Sequence, residues 1–485
     1  MAPPQLNNES GSSNNSCSKM PTQYSAAKAT YTNATAVYKP YRQFAPLLVI
    51  FVGLPARGKS LLARRLARHF NICSEEAKVF DVTEYRRKLL FPYASHEMFR
   101  ADNVEALRVR QQSVRDAMND AAKWLRDGHS IAILDGPNVT KAQRQEVYDL
   151  FVEQLNFRVM FIECVCENKE MLERNVKDIL IHSPDYRDMG TEKACTDLRL
   201  KLTHYKAQYE SLEHGGYTEV PCATATVIDG GLGGVVAHGV KGIKEASVLS
   251  YITIPKVTNQ QVLYFSRHGE SEYNVLGRIG GDANLSPRGK KYAIALARHV
   301  NALGLRGLQV WTSRLRRTQA TAAGVNAPKQ IIPELNEIDA GICEGLTYEE
   351  LQDQYPIEFC ERDKNKLDYR YPRGESYVDV LKRLQPMLQV LESETNVLIV
   401  SHQAVLRCVL GYFLDVPHEK IPYIKVPLHT IIKLTLEGHS YRMETIKMPI
   451  DCVDTTREKP LNCSPTRTAA EALQTVPQHF ETLSI

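Results

Sequence analysis

The chain has 485 residues, 43% apolar and 24% charged, which is the composition of a soluble globular protein and more chain than one ordinary core uses. A net charge of +4, spread without a long basic block, argues against nucleic acid as the main partner, and no apolar run approaches the roughly eighteen residues of a membrane span. The eleven cysteines form no Cys-x-x-Cys pair, and Cys164-x-Cys166 is too close for a zinc knuckle, so they read as reduced thiols in a cytoplasmic protein.

Residues 1–43 are rich in Ser, Asn, Ala and Thr without an apolar period and read as a disordered tail. Leu47-Leu48-Val49-Ile50-Phe51-Val52 reads as a buried strand. It runs into Gly53-Leu54-Pro55-Ala56-Arg57-Gly58-Lys59-Ser60 and a helix with Leu62, Leu66 and Phe70 four apart. The loop satisfies G-x-x-x-x-G-K-[ST] in the strand-to-helix context that the motif requires. Its glycines permit the tight turn, backbone N–H groups and the helix N-terminus face phosphate, Lys59 reaches the outer phosphates, and Ser60 can hold magnesium.

Further strands are predicted at Lys78–Phe80, Ile131–Leu134 and Val159–Ile162, and a helix over Asn103–Leu125. This alternation predicts a mainly parallel sheet with helices on both faces over 44–255. Asp135, at the end of a strand, is placed to serve the metal or the acceptor hydroxyl. Arg86, Arg100 and Arg110 together suit a small phosphorylated acceptor. A glycine-heavy stretch, 229–242, precedes a segment near Ser250–Pro255 read as β-rich, with the domain boundary at about 250–258.

The second half repeats the alternation. Leu263-Tyr264-Phe265-Ser266 reads as a strand that delivers Arg267-His268-Gly269-Glu270 at its end, where open α/β sheets place their sites. Arg267 offers a planar fork of donors to phosphate oxygens, and His268 a ring nitrogen that can attack phosphorus and carry the phosphoryl group. A helix is predicted over Pro287–Asn301, and strands over Gln309–Trp311 and Asn396–Val400. Arg317 supplies a second guanidinium, Glu337 a candidate acid for the leaving oxygen, and His402 a second imidazole after a strand. Two arginines and two histidines would stabilise a five-coordinate phosphorus without a metal. The domain is placed at 256–450. From about Val453 the chain turns polar, so 451–485 reads as a tail, with Ser464-Pro465 a candidate modification site.

The long motifs in this order resemble the bifunctional 6-phosphofructo-2-kinase/fructose-2,6-bisphosphatase family from about Tyr41 to Met448. They include Gly-Leu-Pro-Ala-Arg-Gly-Lys at 53–59, Glu-Tyr-Arg-Arg at 84–87, Ser-Pro-Asp-Tyr at 183–186, Leu-Asn-Glu-Ile-Asp-Ala-Gly at 335–341 and His-Gln-Ala-Val-Leu-Arg-Cys at 402–408. The resemblance implies a P-loop kinase domain followed by a histidine-phosphatase (phosphoglycerate mutase-like) α/β domain. It implies a cytoplasmic homodimer that makes fructose 2,6-bisphosphate from fructose 6-phosphate and ATP with Mg2+, and hydrolyses it without a cofactor. By that resemblance His268 is the nucleophile and Glu337 the proton donor, while Arg267, Asn274, Gly280, Arg317, Tyr348, Arg362, Lys366, Tyr377, Gln403 and Arg407 bind substrate. In the kinase half it implies Asp135 and Cys166 as catalytic. Gly53 to Ser60, Leu61 and Asn175 are implied for ATP, and Arg86, Arg110, Lys201 and Tyr205 for the sugar phosphate.

The chain departs from the family pattern at Pro137, Gln143, Leu180 and Lys201, where Thr, Arg, Lys and Arg are expected, although Arg144 and Lys177 lie close by. A lost charge-assisted contact costs about 1.5–3 kcal/mol. A second reading is therefore a fructose-2,6-bisphosphatase whose first domain binds ATP as a regulatory module. A phosphatase of broader specificity with a fused P-loop domain is a further one.

Overall fold

The computed structural model describes residues 45–212, 222–255, 261–464 and 466–477. The predicted tail over 1–43 lies outside the described residues, as does Pro465 of the candidate modification site. Both sheets belong to one compact unit, Tyr41–Ile485.

In the first half, β1 (Leu47–Val52), β2 (Ala77–Asp81), β3 (Ile131–Asp135), β4 (Arg158–Val165), β5 (Ala223–Ile228) and β6 (Val235–His238) form a sheet in the order β2-β3-β1-β4-β5-β6. All neighbours are parallel except β5 and β6. Every residue of β1 is fully buried, as expected of a central strand covered on both faces. Leu48, Ile50 and Val52 face one core layer, and Leu47, Val49 and Phe51 the other. Helix α1 (Lys59–Ile72) packs Ala63, Leu66 and Phe70 into the second layer. Helices α2 (Val104–Arg126), α3 (Lys169–His182) and α4 (Thr191–Gln208) follow, each of the first two started by an asparagine side chain that accepts a backbone N–H.

In the second half, β7 (Val262–Arg267), β8 (Gln309–Thr312), β9 (Lys329–Ile331), β10 (Asn396–Ser401), β11 (Thr430–Glu437) and β12 (Ser440–Lys447) form a sheet in the order β12-β11-β7-β10-β8-β9. The four strands from β7 to β9 run parallel, and β11 and β12 add an antiparallel hairpin at one edge. The helices that matter below are α5 (Pro356–Lys364), α6 (Tyr377–Leu391), α7 (Gln403–Phe413) and α8 (Ala469–Leu473).

The halves share packing. Leu61 and Ile72 of α1 join the core beneath α6 and α7. From the same helix, Arg65 and Arg68 reach the fully buried Glu392, which accepts hydrogen bonds from Tyr251 (2.5 Å) and Tyr412 (2.9 Å).

Two sequence expectations change, at Ser250–Pro255 and in the C-terminal tail, and the structure adds detail to the glycine-heavy stretch between β5 and the next helix. The Ser250–Pro255 segment is not β-rich: a helix spans Ile243–Ile252, burying Glu245, Val248, Tyr251 and Ile252 at helical spacing. The glycine-heavy stretch holds a short 3-10 turn and β6, whose backbone needs left-handed conformations at Gly230, Gly231 and Gly234. Much of the polar C-terminal stretch is packed against the second domain: Val453, Arg457, Arg467 and Ala472 are buried, and α8 lies on the helix Tyr348–Gln354. Its polarity misleads because much of what it buries is guanidinium paired with the buried carboxylate of Asp363.

Candidate active sites

Strands β7 and β10 are adjacent and in register, so their ends deliver Arg267-His268 and His402 side by side. The two imidazoles stand 5.2 Å apart, centroid to centroid. His268 places Nδ1 2.7 Å from the carbonyl of Gly269, which fixes that nitrogen as the donor and leaves Nε2 with its lone pair free to attack. Burial first, then Arg317 and Arg267, hold the His268 pKa well below the usual imidazole value, so the ring is neutral and nucleophilic at neutral pH. His402 is lowered in the same way. Its Nε2 meets Ser313 Oγ at 2.8 Å, and Nδ1 is buried without a partner among the described residues.

Arg267 donates to Thr455 Oγ1 (2.6 Å) and to the carbonyl of Val426 (3.1 Å), while its buried Nε has no partner among the described residues. Burial lowers its pKa to about 10, against the pull of Glu337. Arg317, 4% exposed, is fixed by the carbonyl of Gly281 at 2.6 Å. Glu337 sits at the N-terminus of α7 and accepts from the backbone N–H groups of Gln403 and Ala404 (3.1 Å each) and of Ile338 (3.0 Å). A helix N-terminus thus positions the candidate acid beside both guanidiniums.

An open cleft runs from this centre, lined by all ten sequence-predicted substrate residues of the second half. Asn274 closes a capping box with Ser271. Gly280 has φ +66°, and a Cβ there would fall on the Glu344 carboxylate, so glycine is required. At the far end Arg362 donates to Tyr371 Oη (2.6 Å) and lies near Tyr348 Oη (3.4 Å), Arg407 donates to Tyr377 Oη (3.1 Å), and Lys366 reaches the carbonyl of Pro422 (3.2 Å). Ser313, Thr455 and Arg457 escaped sequence reasoning: Ser313 holds no motif position, and the last two lie in the stretch read as a tail. Tyr371 opens the stretch Tyr371-Pro372-Arg373-Gly374-Glu375-Ser376-Tyr377, which ends on the predicted substrate residue Tyr377, so that proximity could have pointed to it.

In the first half the P-loop follows β1. Gly53 adopts φ +125°, where a Cβ would lie 2.6 Å from the carbonyl of Cys164, and its N–H donates to the carbonyl of Pro137 (3.0 Å). Gly58 (φ +80°) and Ala56 (φ +62°) complete the left-handed turns. Lys59, 8% exposed, donates to the carbonyl of Leu54 at 2.6 Å, and burial lowers its pKa to about 8 against the attraction of Asp135. Asp135 is pushed up by burial and then by Asp81, while a hydrogen bond with Ser60 acts the other way. One of its carboxylate oxygens is buried without a partner among the described residues. Ser60 and Asp135 are therefore hard oxygen donors at one point, with a spare acceptor, which fits a magnesium ion.

Leu61, Arg57, Cys166 and Asn175 line a narrow cleft beside the loop. Asn175 donates to the carbonyl of Ala56 at 3.0 Å. Burial, then Asp229, raises the Cys166 thiol, so it stays protonated. Arg86 is held by Asp185 at 2.5 Å, and Lys201 lies over Phe99 (4.4 Å), its pKa lowered to about 8 by burial. Arg110 and Tyr205 join this group; burial lowers the first and raises the second to about 12. The surrounding apolar cluster packs against Leu54 of the P-loop, bringing sugar-site candidates and phosphate cradle together. Arg100 does not join them as a free cation: it pairs with Asp102 and Glu97 at the surface.

Of the departures, Pro137 supplies its carbonyl to Gly53, and Gln143 closes the capping box of the helix Lys141–Tyr148 with Thr140. Leu180 packs in the apolar cluster, and Lys201 keeps a cation at its position. Arg144 does not replace the expected arginine: fully buried, it donates to the carbonyls of Asn138, Val139 and Glu210. The described cysteines are all free thiols. Among the described residues no helix is long and apolar enough to cross a membrane, and no group of three or more His, Cys, Asp or Glu is placed to hold a metal.

Comparison with known proteins agrees with this geometry. The family model described as "6-phosphofructo-2-kinase" matches residues 34–237, and "Histidine phosphatase superfamily (branch 1)" matches 263–448. The 6-phosphofructo-2-kinase/fructose-2,6-bisphosphatase of Gallus gallus is 40% identical over 90% of this chain and 92% of its own length. The 6-phosphofructo-2-kinase/fructose-2,6-bisphosphatase 1 proteins of Rattus norvegicus and Homo sapiens are each 41% identical over 90% of this chain and 91% of theirs. The two sites, in this order on one chain, make the protein a member of the bifunctional 6-phosphofructo-2-kinase/fructose-2,6-bisphosphatase enzyme family.

Proposed function

We propose that the two halves carry out opposite reactions on one metabolite, with the residues above in definite roles. In the second half, Nε2 of neutral His268 attacks the 2-phosphoryl phosphorus of fructose 2,6-bisphosphate. The bond from phosphorus to the sugar oxygen breaks, and Glu337 gives that oxygen a proton. Arg267, Arg317 and His402 hold the charge of the phosphoryl oxygens as it develops. Fructose 6-phosphate leaves. Water then attacks the phosphohistidine, Glu337 takes back a proton, and inorganic phosphate departs with His268 restored. The observation that carries this reading is the fixed tautomer of His268, its Nδ1 tied to Gly269 and Nε2 left free between two buried guanidiniums.

In the first half the reading assigns ATP to the P-loop, Leu61 and Asn175, and fructose 6-phosphate to Arg86, Arg110, Lys201 and Tyr205. Ser60 and Asp135 would hold Mg2+, which supplies charge neutralisation at the phosphates when bound. Lys59 binds the outer phosphates, Asp135 orients the acceptor hydroxyl, and protonated Cys166 lines the nucleotide cleft. The same reading makes the protein a cytoplasmic homodimer; β6, the outer strand of its sheet with Val236 44% exposed, offers a pairing edge.

The test of the hydrolytic half is a reaction with fructose 2,6-bisphosphate labelled in the 2-phosphate, quenched in alkaline denaturant. The reading expects an acid-labile, base-stable label on wild-type protein, mapped to His268 and absent from His268→Ala. Turnover without any such label under single-turnover sampling would overturn it.

A further inference from the structure

The hydrolytic cleft is not closed by the segment that the histidine phosphatase model covers. That match ends at residue 448, yet Asp454, Thr455, Arg457, Val476 and Pro477 form part of the cleft wall. They arrive on a strap fixed at two separate points. Near the catalytic end, Val453 is buried and its N–H donates to the buried carboxylate of Glu270 (3.0 Å), while Thr455 accepts from Arg267. Near the far end, the carboxylate of Asp363, 2% exposed, receives Arg457 through both terminal nitrogens and Arg467 at 2.7 Å. Asp363 follows Arg362 in α5, and the Arg362 guanidinium lies 3.6 Å from the same carboxylate.

This far end is strongly cationic. Lys366 is held well below its ordinary pKa by burial and then by Arg407, Arg362 and Arg457, with Asp363 pulling the other way. One carboxylate, Asp363, beside the three guanidiniums of Arg362, Arg457 and Arg467 leaves an excess that a dianion would neutralise. The donor count agrees: Arg457 Nε and Arg362 Nη1 are buried without hydrogen-bond partners among the described residues, although both side chains line or border the cleft and are less than 10% exposed. Arg457 itself is pinned in orientation, its guanidinium 4.6 Å from the Phe359 ring and 5.2 Å from Tyr348.

We propose that the described C-terminal residues 452–464 and 466–477 form a fixed wall of the hydrolytic cleft that selects substrates bearing a second, distal phosphate. Arg457 contacts that phosphate, and Asp363 and Arg467 are the positioning pair that holds Arg457 in place. This rests on the reading of the cleft as a sugar-bisphosphate site and adds to it a recognition element outside the phosphatase core. Because the strap is anchored separately at Val453, loosening its far end leaves the catalytic end in place.

The experiment compares two substrates on full-length protein: fructose 2,6-bisphosphate, with a distal phosphate, and p-nitrophenyl phosphate, without one. Arg457→Ala and Arg467→Gln are expected to raise KM for the bisphosphate by about tenfold or more, the scale of one lost charge-assisted contact, with kcat nearly unchanged. Arg467→Gln, outside the cleft, leaves kcat/KM for the monophosphate within about twofold of wild type, since its effect passes only through Arg457. Arg457→Lys recovers part of the loss, as a retained charge without the planar fork should. An unchanged ratio of kcat/KM between the two substrates in Arg457→Ala and Arg467→Gln would overturn the proposal. So would an equal loss on both substrates, which marks a merely structural role. A wild-type enzyme with no preference for the bisphosphate would overturn the substrate reading itself, and the proposal with it.

Discussion

Glu392 offers the sharpest stability test, because it lies where the two halves meet. Its side chain is fully buried, accepts from the hydroxyls of Tyr251 and Tyr412, and faces Arg65 at 4.0 Å and Arg68 at 3.6 Å. Those arginines are 1% and 5% exposed and come from α1, the helix that begins at the P-loop. Glu392→Ala removes the carboxylate and leaves two buried guanidiniums without their counter-charge. Breaking a buried pair in this way costs about 3–5 kcal/mol, whereas replacing all partners by apolar groups of similar shape can be neutral. Glu392→Gln keeps an acceptor oxygen and loses the charge, so it should cost less, about 1.5–3 kcal/mol. Urea unfolding followed by circular dichroism measures both, together with the fully apolar variant Glu392→Leu, Arg65→Met, Arg68→Met, Tyr251→Phe, Tyr412→Phe, which also removes the two hydroxyls that Glu392 accepts from. The expected order is wild type close to the apolar variant, then Gln, then Ala, with the Ala variant splitting into two transitions as the halves uncouple. A loss below about 1 kcal/mol for Glu392→Ala, within the range of an exposed ion pair, would refute the buried-hub reasoning.

The other predictions concern the sites. Lys59→Met should abolish synthesis of fructose 2,6-bisphosphate while leaving its hydrolysis within about twofold, because Lys59 belongs to the phosphate cradle and the hydrolytic residues stand on the other sheet; parallel assays of the two reactions check it. Gly53→Ala should destabilise the first half by about 1–3 kcal/mol and weaken nucleotide binding, since φ +125° is strained for alanine and its Cβ would meet the Cys164 carbonyl; calorimetric titration with ATP and thermal melts read the two effects. The lowered pKa values of His268 and His402 predict NMR titrations in which both rings stay neutral well below pH 6.5. With folded values below the unfolded one, their contribution to stability is complete above about pH 6.5 and is lost as pH falls toward the folded pKa values, so chemical denaturation at pH 7.5 and 5.5 should show the lower pH less stable.

Much of this was legible from the chain, for reasons that differ by element. The strand Leu47–Val52 announces itself because a central parallel strand is apolar throughout, and the P-loop because phosphate binding fixes glycine and lysine at set spacing. His268, Glu337 and His402 could be named because each follows a strand or sits in a long motif. The Ser250–Pro255 segment misled because its β-branched and aromatic residues are also what a helix buries against a sheet, and only the sheet supplies that context. The hairpin β11–β12 was hidden by mixed polar and apolar residues on an edge that is half exposed. The C-terminal strap was unreadable for a similar reason: buried Arg457 and Arg467 look like solvated charge until Asp363, about a hundred residues earlier, is brought to them by the fold.

The most direct measurement of the account uses His268→Ala protein, from which the proposed nucleophile of hydrolysis is removed, incubated with ATP, magnesium and fructose 6-phosphate while fructose 2,6-bisphosphate is quantified over time. Steady accumulation, lost when Lys59→Met is added, is the predicted result. It would mean that Pro137, Gln143, Leu180 and Lys201 leave a working kinase. No accumulation, with ATP still bound, would contradict the claim that one chain both makes and breaks the bisphosphate.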